Sequence, residues 1–282
     1  AHEIRAENEI GETGMKKIRA GLVGVTGYTG MELTRLMENP PAMELVRVTS
    51  RAEAGKPLKD IYPFLQGLRT GEIIITEPDP ADLAANCEVV FLAVPHGAAM
   101  ETAAALRVKD LKVVDLSADF RLHDGAVFRE WYKSEHTQEA CLAEAVYGLP
   151  ELHAEAVAGA KLVANPGCYT TCSILAMAPL VQFQMVEGKS IIIDAKSGVT
   201  GAGRKLTAGT SFALTNDNSR AYSIGTHRHT SEIEEQLSVL YGSKIALNFT
   251  PHIIPVNRGI LATCYADLRK PTSAEQLYAL YD

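Results

Sequence analysis

"KIRAGLVGVTGYTGMELTRLMEN", residues 17–39, decides the reading of the fold. KIRAGLVGV is an apolar run of the kind a buried strand shows, and MELTRLMEN reads as a helix that Pro40 terminates. Gly24, Gly27 and Gly30 stand between and just inside the two. Glycines at a strand-to-helix turn let the backbone approach a pyrophosphate, whose charge the helix N-terminus stabilises. The same glycines also make a tight turn that binds nothing. The junction is therefore a candidate dinucleotide site, formed by Gly24, Thr26, Gly27, Tyr28, Thr29 and Gly30.

The series continues outward from this unit. MELVRVTS is the next strand, followed by EIIITEP as a strand, a short helix near PADLAANC, and EVVFLAVP as a strand. A small-residue helix around GAAMETAAAL and the apolar strand LKVVDLS complete the run. Strands alternating with helices imply parallel pairing with right-handed crossovers, hence a doubly wound sheet. The stretch from Arg121 to Leu152 has the polar, turn-rich character of a long surface connection. At the end of the second strand, folds that prefer NAD place an acid on the ribose 2′-hydroxyl; here stand Ser50 and Arg51. A hydroxyl and a guanidinium suit a 2′-phosphate, although a solvated surface arginine is the competing reading.

The second half reads as an α+β domain with a largely antiparallel sheet. SIIIDAKSG is a strand entering a glycine-rich loop, TSEIEEQLSVLYG a helix, and KIALNFTPHIIPV and GILATCYADL long strands. The expected division is a dinucleotide-binding domain over 15–165 and a catalytic and dimerisation domain over 166–282. The first 14 residues, AHEIRAENEIGETG, are polar and patternless, and Met15 reads as a natural start, so 1–14 is expected to be a leader or an expression remnant. At the other end Thr272 and Glu275 are spaced as a capping box, and the chain is expected to end inside an element.

Composition excludes several classes. At 282 residues, with 46% hydrophobic and 22% charged, the chain can bury a core and hold two domains. No apolar run reaches the roughly 18 residues of a membrane span, and no secretory pattern opens the chain, which points to the cytoplasm. Five cysteines form neither a disulfide framework nor paired zinc knuckles. A net charge of −7 without a basic stripe argues against a nucleic-acid surface.

Within "VANPGCYTTCSILAMAPL", residues 163–180, Pro166 and Gly167 punctuate the chain before an apolar helical face. Cys168 therefore falls at a helix N-terminus, where the exposed amides and the dipole favour a thiolate. A small buried hydrophobe is the alternative for such a cysteine. "HRHTSEIEEQL" supplies His227, His229 and Glu232, an acid/base imidazole of the kind that accompanies a nucleophilic thiol. Zinc binding and a structural histidine pair are the competing readings of that stretch. "DLSADFR" puts Arg121 after a strand at the carboxyl edge of the sheet, as a phosphate clamp or as plain turn chemistry. "SGVTGAGR", 197–204, with Ser197, Gly198 and Gly201, is a loop able to present amides to an anion or a cofactor ring.

GVTGYTG, DLSADFR, VANPGCY, SGVTGAGR, HRHTSEIE and TPHIIPVNRGI, taken in order from about Lys17 onward, resemble the N-acetyl-gamma-glutamyl-phosphate reductase family of the aspartate-semialdehyde dehydrogenase superfamily. The resemblance implies a Rossmann domain followed by an α+β catalytic domain, NADP(H) as cofactor, and a homo-oligomer, dimer or tetramer. It implies Cys168 as the thiolate that forms a thioacyl enzyme, and His227 as acid/base with His229 as its understudy. Glu232 is implied to orient the histidine or contact substrate, and Arg121 to contact phosphate, with Asn165 beside it among the substrate residues. Ser197 to Gly203 is similar to the loop on the nicotinamide side. Thr170 and Cys172 depart from the family pattern after the cysteine. The resemblance also implies a further C-terminal stretch beyond Asp282, with a helix returning to the first domain. The implied reaction is NADPH-dependent reduction of an N-acetyl-glutamyl acyl phosphate; a substrate derived from aminoadipate, one methylene longer, and a non-catalytic dinucleotide sensor are the alternatives.

Overall fold

The computed structural model describes residues 16–40 and 42–282. The expected leader at 1–14, with Met15, lies outside the described residues. The elements, in order, are β1 (Ile18–Val23), α1 (Tyr28–Leu36), β2 (Met43–Thr49), α2 (Leu58–Ile61), α3 (Pro80–Asn86), β3 (Val89–Leu92), α4 (Ala99–Val108) and β4 (Lys112–Asp115). Then come α5 (Gly125–Tyr132), α6 (Glu139–Glu144), β5 (Val146–Tyr147), α7 (Pro150–Gly159) and β6 (Leu162–Ala164). The remainder comprises α8 (Cys168–Gln182), β7 (Ile192–Ser197), α9 (Phe212–Thr215), β8 (Arg220–Ala221), α10 (His229–Tyr241), β9 (Asn248–Ile253), β10 (Ile260–Tyr265) and α11 (Ala274–Tyr278).

Two compact units emerge. The first holds the described residues up to His123 together with His136–Asn165; the second holds Asp124–Glu135 and Pro166–Asp282. In the first, six parallel strands lie in the order β2-β1-β3-β4-β6-β5. From β1 the chain first steps to β2 on one side and later to β3 on the other, which makes the gap between β1 and β3 the topological switch point. Ala20, Leu22, Leu45, Val48 and Val90 are fully buried, as strands covered on both faces require. Asp79 caps α3 by accepting from the Ala81 amide at 2.8 Å, with Pro80 at the first helical position.

Three expectations are corrected here. EIIITEP is not a strand: it makes only isolated bridges, Thr49 to Thr76 and Pro57 to Ile74. Its amides divide between two neighbours, Thr76 donating to Val48 and Ile75 to Lys56, so no continuous ladder forms although Ile75 is fully buried. The stretch from Arg121 to Leu152 is no surface connection, because it folds into α5, α6, β5 and the start of α7 and buries Leu122, Phe128, Leu142, Tyr147 and Leu149. Its short elements carry too few turns for a helical period to register. The capping box opening α11 is Ser273 with Gln276, one residue beyond the expected pair; the Ser273 hydroxyl accepts from the Gln276 amide and the Gln276 side chain from the Ser273 amide.

The second unit carries a four-stranded sheet, β10-β7-β9-β8, in which β7 with β10 and β8 with β9 are antiparallel and β7 with β9 is parallel. It is mixed and mostly antiparallel. Helix α8 packs on α10 and β10. Ile174, Met177 and Val181 of α8, Ile233 and Leu237 of α10, and Ile193, Ala195 and Phe249 of the sheet are buried. The alternate residues Ile192, Leu261 and Tyr265 remain exposed, leaving one face of the sheet open.

Candidate functional site

In the first unit the three glycines of the β1–α1 turn divide the work. Gly24 has φ +86°, and a Cβ there would lie 2.4 Å from the Ala93 carbonyl at the end of β3. A Cβ at Gly30 would lie 2.5 Å from the Val25 carbonyl, so this residue lets α1 seat on its own turn. At Gly27 a Cβ would meet nothing within 4 Å. Gly27 is the N-cap of α1 and offers no side-chain cap, so the first-turn amides at Tyr28, Thr29 and Gly30 have no acceptor within the helix. Amides and dipole together fit a pyrophosphate. Tyr62, 3% exposed, pins the turn by donating to the Val25 carbonyl at 2.9 Å. No sequence signal marks Tyr62, which lies in a stretch of short turns.

The turn is tied to the end of β2, for the amides of Gly24 and Val25 both donate to Thr49 O, at 3.1 and 3.2 Å. Ser50 and Arg51 follow directly. Ser50 is 8% exposed, whereas Arg51 is exposed and makes no ion pair among the described residues. Arg121 is placed otherwise than a surface clamp would be. It is 4% exposed, with Nε donating to Asn165 O at 2.7 Å and Nη2 to Leu116 O at 3.0 Å, while the Asn165 amide donates to Asp115 O at 2.8 Å. These bonds make Arg121 a strut between the carboxyl ends of β4 and β6.

In the second unit α8 begins at Cys168, with Gly167 as an N-cap that supplies no side-chain bond. Cys168 is exposed, whereas Cys87 and Cys141 are buried. Burial pushes the Cys87 and Cys264 thiols up to about 11. Glu232, 1% exposed in the first turn of α10, accepts from the Gly167 amide at 3.1 Å and from the Thr170 hydroxyl at 2.9 Å. The Thr170 and Thr171 hydroxyls also donate to Gly167 O, at 2.6 and 3.0 Å. Glu232 thus braces the residue that precedes the cysteine, and its charge also reaches His227, whose protonated form it favours.

His227 and His229 lie together, ring centroids 4.7 Å apart, and both meet the ring of Tyr169, the residue after Cys168, edge to face at 5.7 and 6.0 Å. The His229 amide donates to His227 Nδ1 at 3.1 Å. That bond leaves Nδ1 without a proton, so the neutral ring carries its hydrogen on Nε2. Burial, with Arg228 adding to it, lowers the His227 pKa to about 4. Tyr222 and Phe249 complete the ring cage around His227, at 5.5 and 5.3 Å. Tyr169 donates to His252 O at 2.8 Å. Tyr222 and Phe249 escape sequence reasoning, since single aromatics separated in the chain form no motif; Tyr169 stands inside VANPGCY, yet only the cysteine beside it signals chemistry.

The 197–203 loop closes on its own chain. Gly198 donates to Gly259 O at 3.0 Å and a Cβ on it would meet Asn257 O at 2.7 Å, while at Gly201 a Cβ would meet the Ser197 hydroxyl at 2.7 Å. Among the described residues no group of three or more His, Cys, Asp or Glu is arranged to hold a metal. No helix among them is long and apolar enough to cross a membrane.

Residues 19–160 match the family model "Semialdehyde dehydrogenase, NAD binding domain", and residues 168–282 match "Semialdehyde dehydrogenase, dimerisation domain". An N-acetyl-gamma-glutamyl-phosphate reductase of Desulforamulus reducens is 48% identical over 94% of this chain and 76% of its own. That of Nitrosococcus oceani is 49% identical over 93% and 76%. In fold, the chain is similar to aspartate semialdehyde dehydrogenase II of Vibrio cholerae, crystallised with ASA, at TM-score 0.68 and 16% identity over 94% of this chain and 79% of that one. It is also similar to the aspartate semialdehyde dehydrogenase of Candida albicans with NADP, at TM-score 0.63 and 16% identity over 94% and 76%. From the sequence identities and the two matched models, this chain belongs to the N-acetyl-gamma-glutamyl-phosphate reductase family, within the semialdehyde dehydrogenases.

Proposed function

We propose that this chain reduces N-acetyl-gamma-glutamyl phosphate to the corresponding semialdehyde with release of phosphate, as a step of arginine biosynthesis. The observation that carries the reading is the exposed Cys168 at the start of α8, its preceding amide held by a carboxylate from the same helix that the two histidines open. Cys168 thiolate attacks the acyl carbonyl carbon; the C–S bond forms, the C–O bond to phosphorus breaks, and phosphate leaves with the electron pair. When bound, NADPH supplies the hydride that reduces the thioester carbon. The Nε2 hydrogen of His227 donates to the oxygen as it gains charge on hydride addition and stays on the nitrogen; the oxyanion then reforms the C=O bond as the C–S bond breaks and the Cys168 thiolate leaves with its electron pair.

The remaining roles follow the same reading. Gly24, Thr26, Gly27, Tyr28, Thr29 and Gly30 hold the pyrophosphate, Ser50 and Arg51 the 2′-phosphate, and Ser197, Gly198 and Gly201 the nicotinamide side. Arg121, Asn165, His229 and Glu232 serve the substrate, Arg121 and Glu232 by holding backbone in place. Residues 15–165 form the dinucleotide domain and 166–282 the catalytic and dimerisation domain, except that 124–135 cluster with the second unit. The chain works in the cytoplasm as a homo-oligomer, its open second-sheet face, with Ile192, Leu261 and Tyr265 exposed, meeting a second copy. Phosphate-dependent reduction of NADP with N-acetyl-glutamate semialdehyde tests the proposal: a steady rate supports it, and cofactor binding without any rate overturns it.

A further inference from the structure

DLSADFR, residues 115–121, ends β4 in a row of buried polar side chains: Asp115 and Asp119 are 0% exposed and Ser117 is 1%. Asp119 is the hub. Its carboxylate accepts from the Gly97 amide at 2.7 Å with one oxygen and from the Ala99 amide at 3.0 Å with the other. Its own amide donates to the Ser117 hydroxyl at 3.1 Å, and that hydroxyl donates to Asp115 at 2.7 Å. His136 Nε2 donates to its carbonyl at 2.8 Å, since His136 Nδ1 accepts from the Gln138 amide. Next to it, the Ala118 amide donates to His96 Nδ1 at 3.0 Å.

The segment so held, His96 to Ala99, is the turn between β3 and the start of α4, and it lines the switch-point crevice opposite the glycine turn. Ala93 and Val94, which lead from β3 into this turn, lie against Gly24, where a Cβ would meet Ala93 O. Two helix N-termini open there, and neither N-cap residue supplies a side-chain bond, but the Asp119 carboxylate accepts from Ala99, the first residue of α4, and from Gly97 just before it. We propose that Asp119 is a positioning residue for the dinucleotide, fixing the 96–99 wall of the crevice and, by occupying the first amide of α4, leaving the α1 N-terminus as the end that receives the anion. This rests on the reading of the crevice as the NADPH site.

NADPH dissociation constants of full-length Asp119→Asn and Asp119→Ala, measured by fluorescence titration, test the assignment, together with kcat at saturating NADPH and the iodoacetamide rate of Cys168. Asp119→Ala should weaken NADPH about tenfold or more, because two buried amides lose their acceptor. Asp119→Asn should weaken it less, as its amide oxygen still accepts one of them. The Cys168 rate should be unchanged and kcat within about threefold of wild type, since the thiol is not part of this network. Wild-type affinity in both variants overturns the proposal, and so does a fall in kcat as large as the fall in affinity, which marks general damage. Should the alanine variant fail to fold, the asparagine variant decides alone by the same criteria. A wild type that binds no NADPH removes the site reading and this inference together, whereas normal wild-type binding with insensitive variants removes the inference only.

Discussion

The carboxylate of Glu232 accepts a hydrogen bond from the amide of Gly167, the residue immediately before Cys168. A buried acceptor in α10 therefore sets the backbone from which the nucleophile projects. Glu232→Ala removes the acceptor from the buried Gly167 amide, while the Thr170 hydroxyl keeps Gly167 O, at a cost of about 1–3 kcal/mol in stability. A displaced nucleophile lowers kcat about 100-fold. Glu232→Gln keeps an oxygen for the Gly167 amide and should retain most of the rate. Steady-state kinetics with urea melts of both variants check this; equal kcat in Glu232→Ala and wild type would exclude a positioning role.

Cys168→Ser should fold, bind cofactor and lose turnover by several orders of magnitude, because a serine hydroxyl is far too weak an acid to serve as this nucleophile. In the wild type, iodoacetamide should modify the exposed Cys168 well before Cys87 and Cys264, which burial holds protonated. Peptide mapping after limited alkylation reads the order. Comparable labelling of the three sites counts against an activated thiol.

The His227 pKa lies at about 4 in the fold against an ordinary value near 6.5, so the neutral ring is the form the fold favours. The unfolded chain then binds the extra proton first. The contribution of His227 to stability is complete above about pH 6.5 and is lost as pH falls through about 4. Activity should follow the same sign, with kcat insensitive to His227 from pH 6 to 8 and an acid limb only near its folded pKa. His227→Asn should abolish that limb and depress kcat more than His229→Asn does; the reverse order in rate would transfer the acid/base role to His229.

Asp115 has the opposite sign. Burial raises its carboxyl pKa to about 7, against the Ser117 hydrogen bonds that lower it. A carboxyl raised in the fold stabilises fully below its unfolded value, near 3.9, and loses that stabilisation as pH rises through about 7. Urea melts of wild type and Asp115→Asn between pH 5 and 9 should therefore converge as the pH rises if the wild type starts the more stable. A stability difference constant across the range would show that Asp115 does not titrate in the fold.

What the sequence discloses of this molecule depends on how local the cause is. The β1–α1 glycine turn is legible because Gly24, Gly27 and Gly30 act within a single strand-turn-helix unit. Cys168 at a helix start is legible for the same reason, from Pro166, Gly167 and the apolar face that follows. Glu232 stands in a readable motif, but its bond to Gly167 joins residues 65 apart, and no spacing rule predicts which helix end a buried carboxylate will meet. Arg121 reads as a phosphate clamp or as plain turn chemistry, because burial of an arginine against backbone carbonyls leaves no pattern in its neighbours. The Tyr222 and Phe249 cage around His227 is assembled from separate elements, and only the fold brings it together.

Cofactor choice turns on Arg51. A 2′-phosphate carries close to two negative charges near neutral pH, and a guanidinium meets it with two parallel charge-assisted hydrogen bonds. Arg51 has the freedom to do so, being exposed and outside any ion pair among the described residues. It follows Ser50 at the end of β2, and β2 is bonded to the glycine turn through Thr49 O. NADH presents only a hydroxyl there. The carboxylate that NAD enzymes place at this strand end would repel the phosphate, and its replacement by Ser50 removes that discrimination. Hydrogen bonds to a charged group contribute about 1.5–3 kcal/mol, so Arg51→Ala should raise KM for NADPH about tenfold or more and leave KM for NADH nearly unchanged. Because the phosphate contact is electrostatic and solvent-exposed, the wild-type preference should also shrink as ionic strength rises, while that of Arg51→Ala should not. Parallel KM measurements for the two cofactors at low and high salt decide it: equal weakening of both cofactors in Arg51→Ala, or a wild type indifferent between them, removes Arg51 from the 2′-phosphate site.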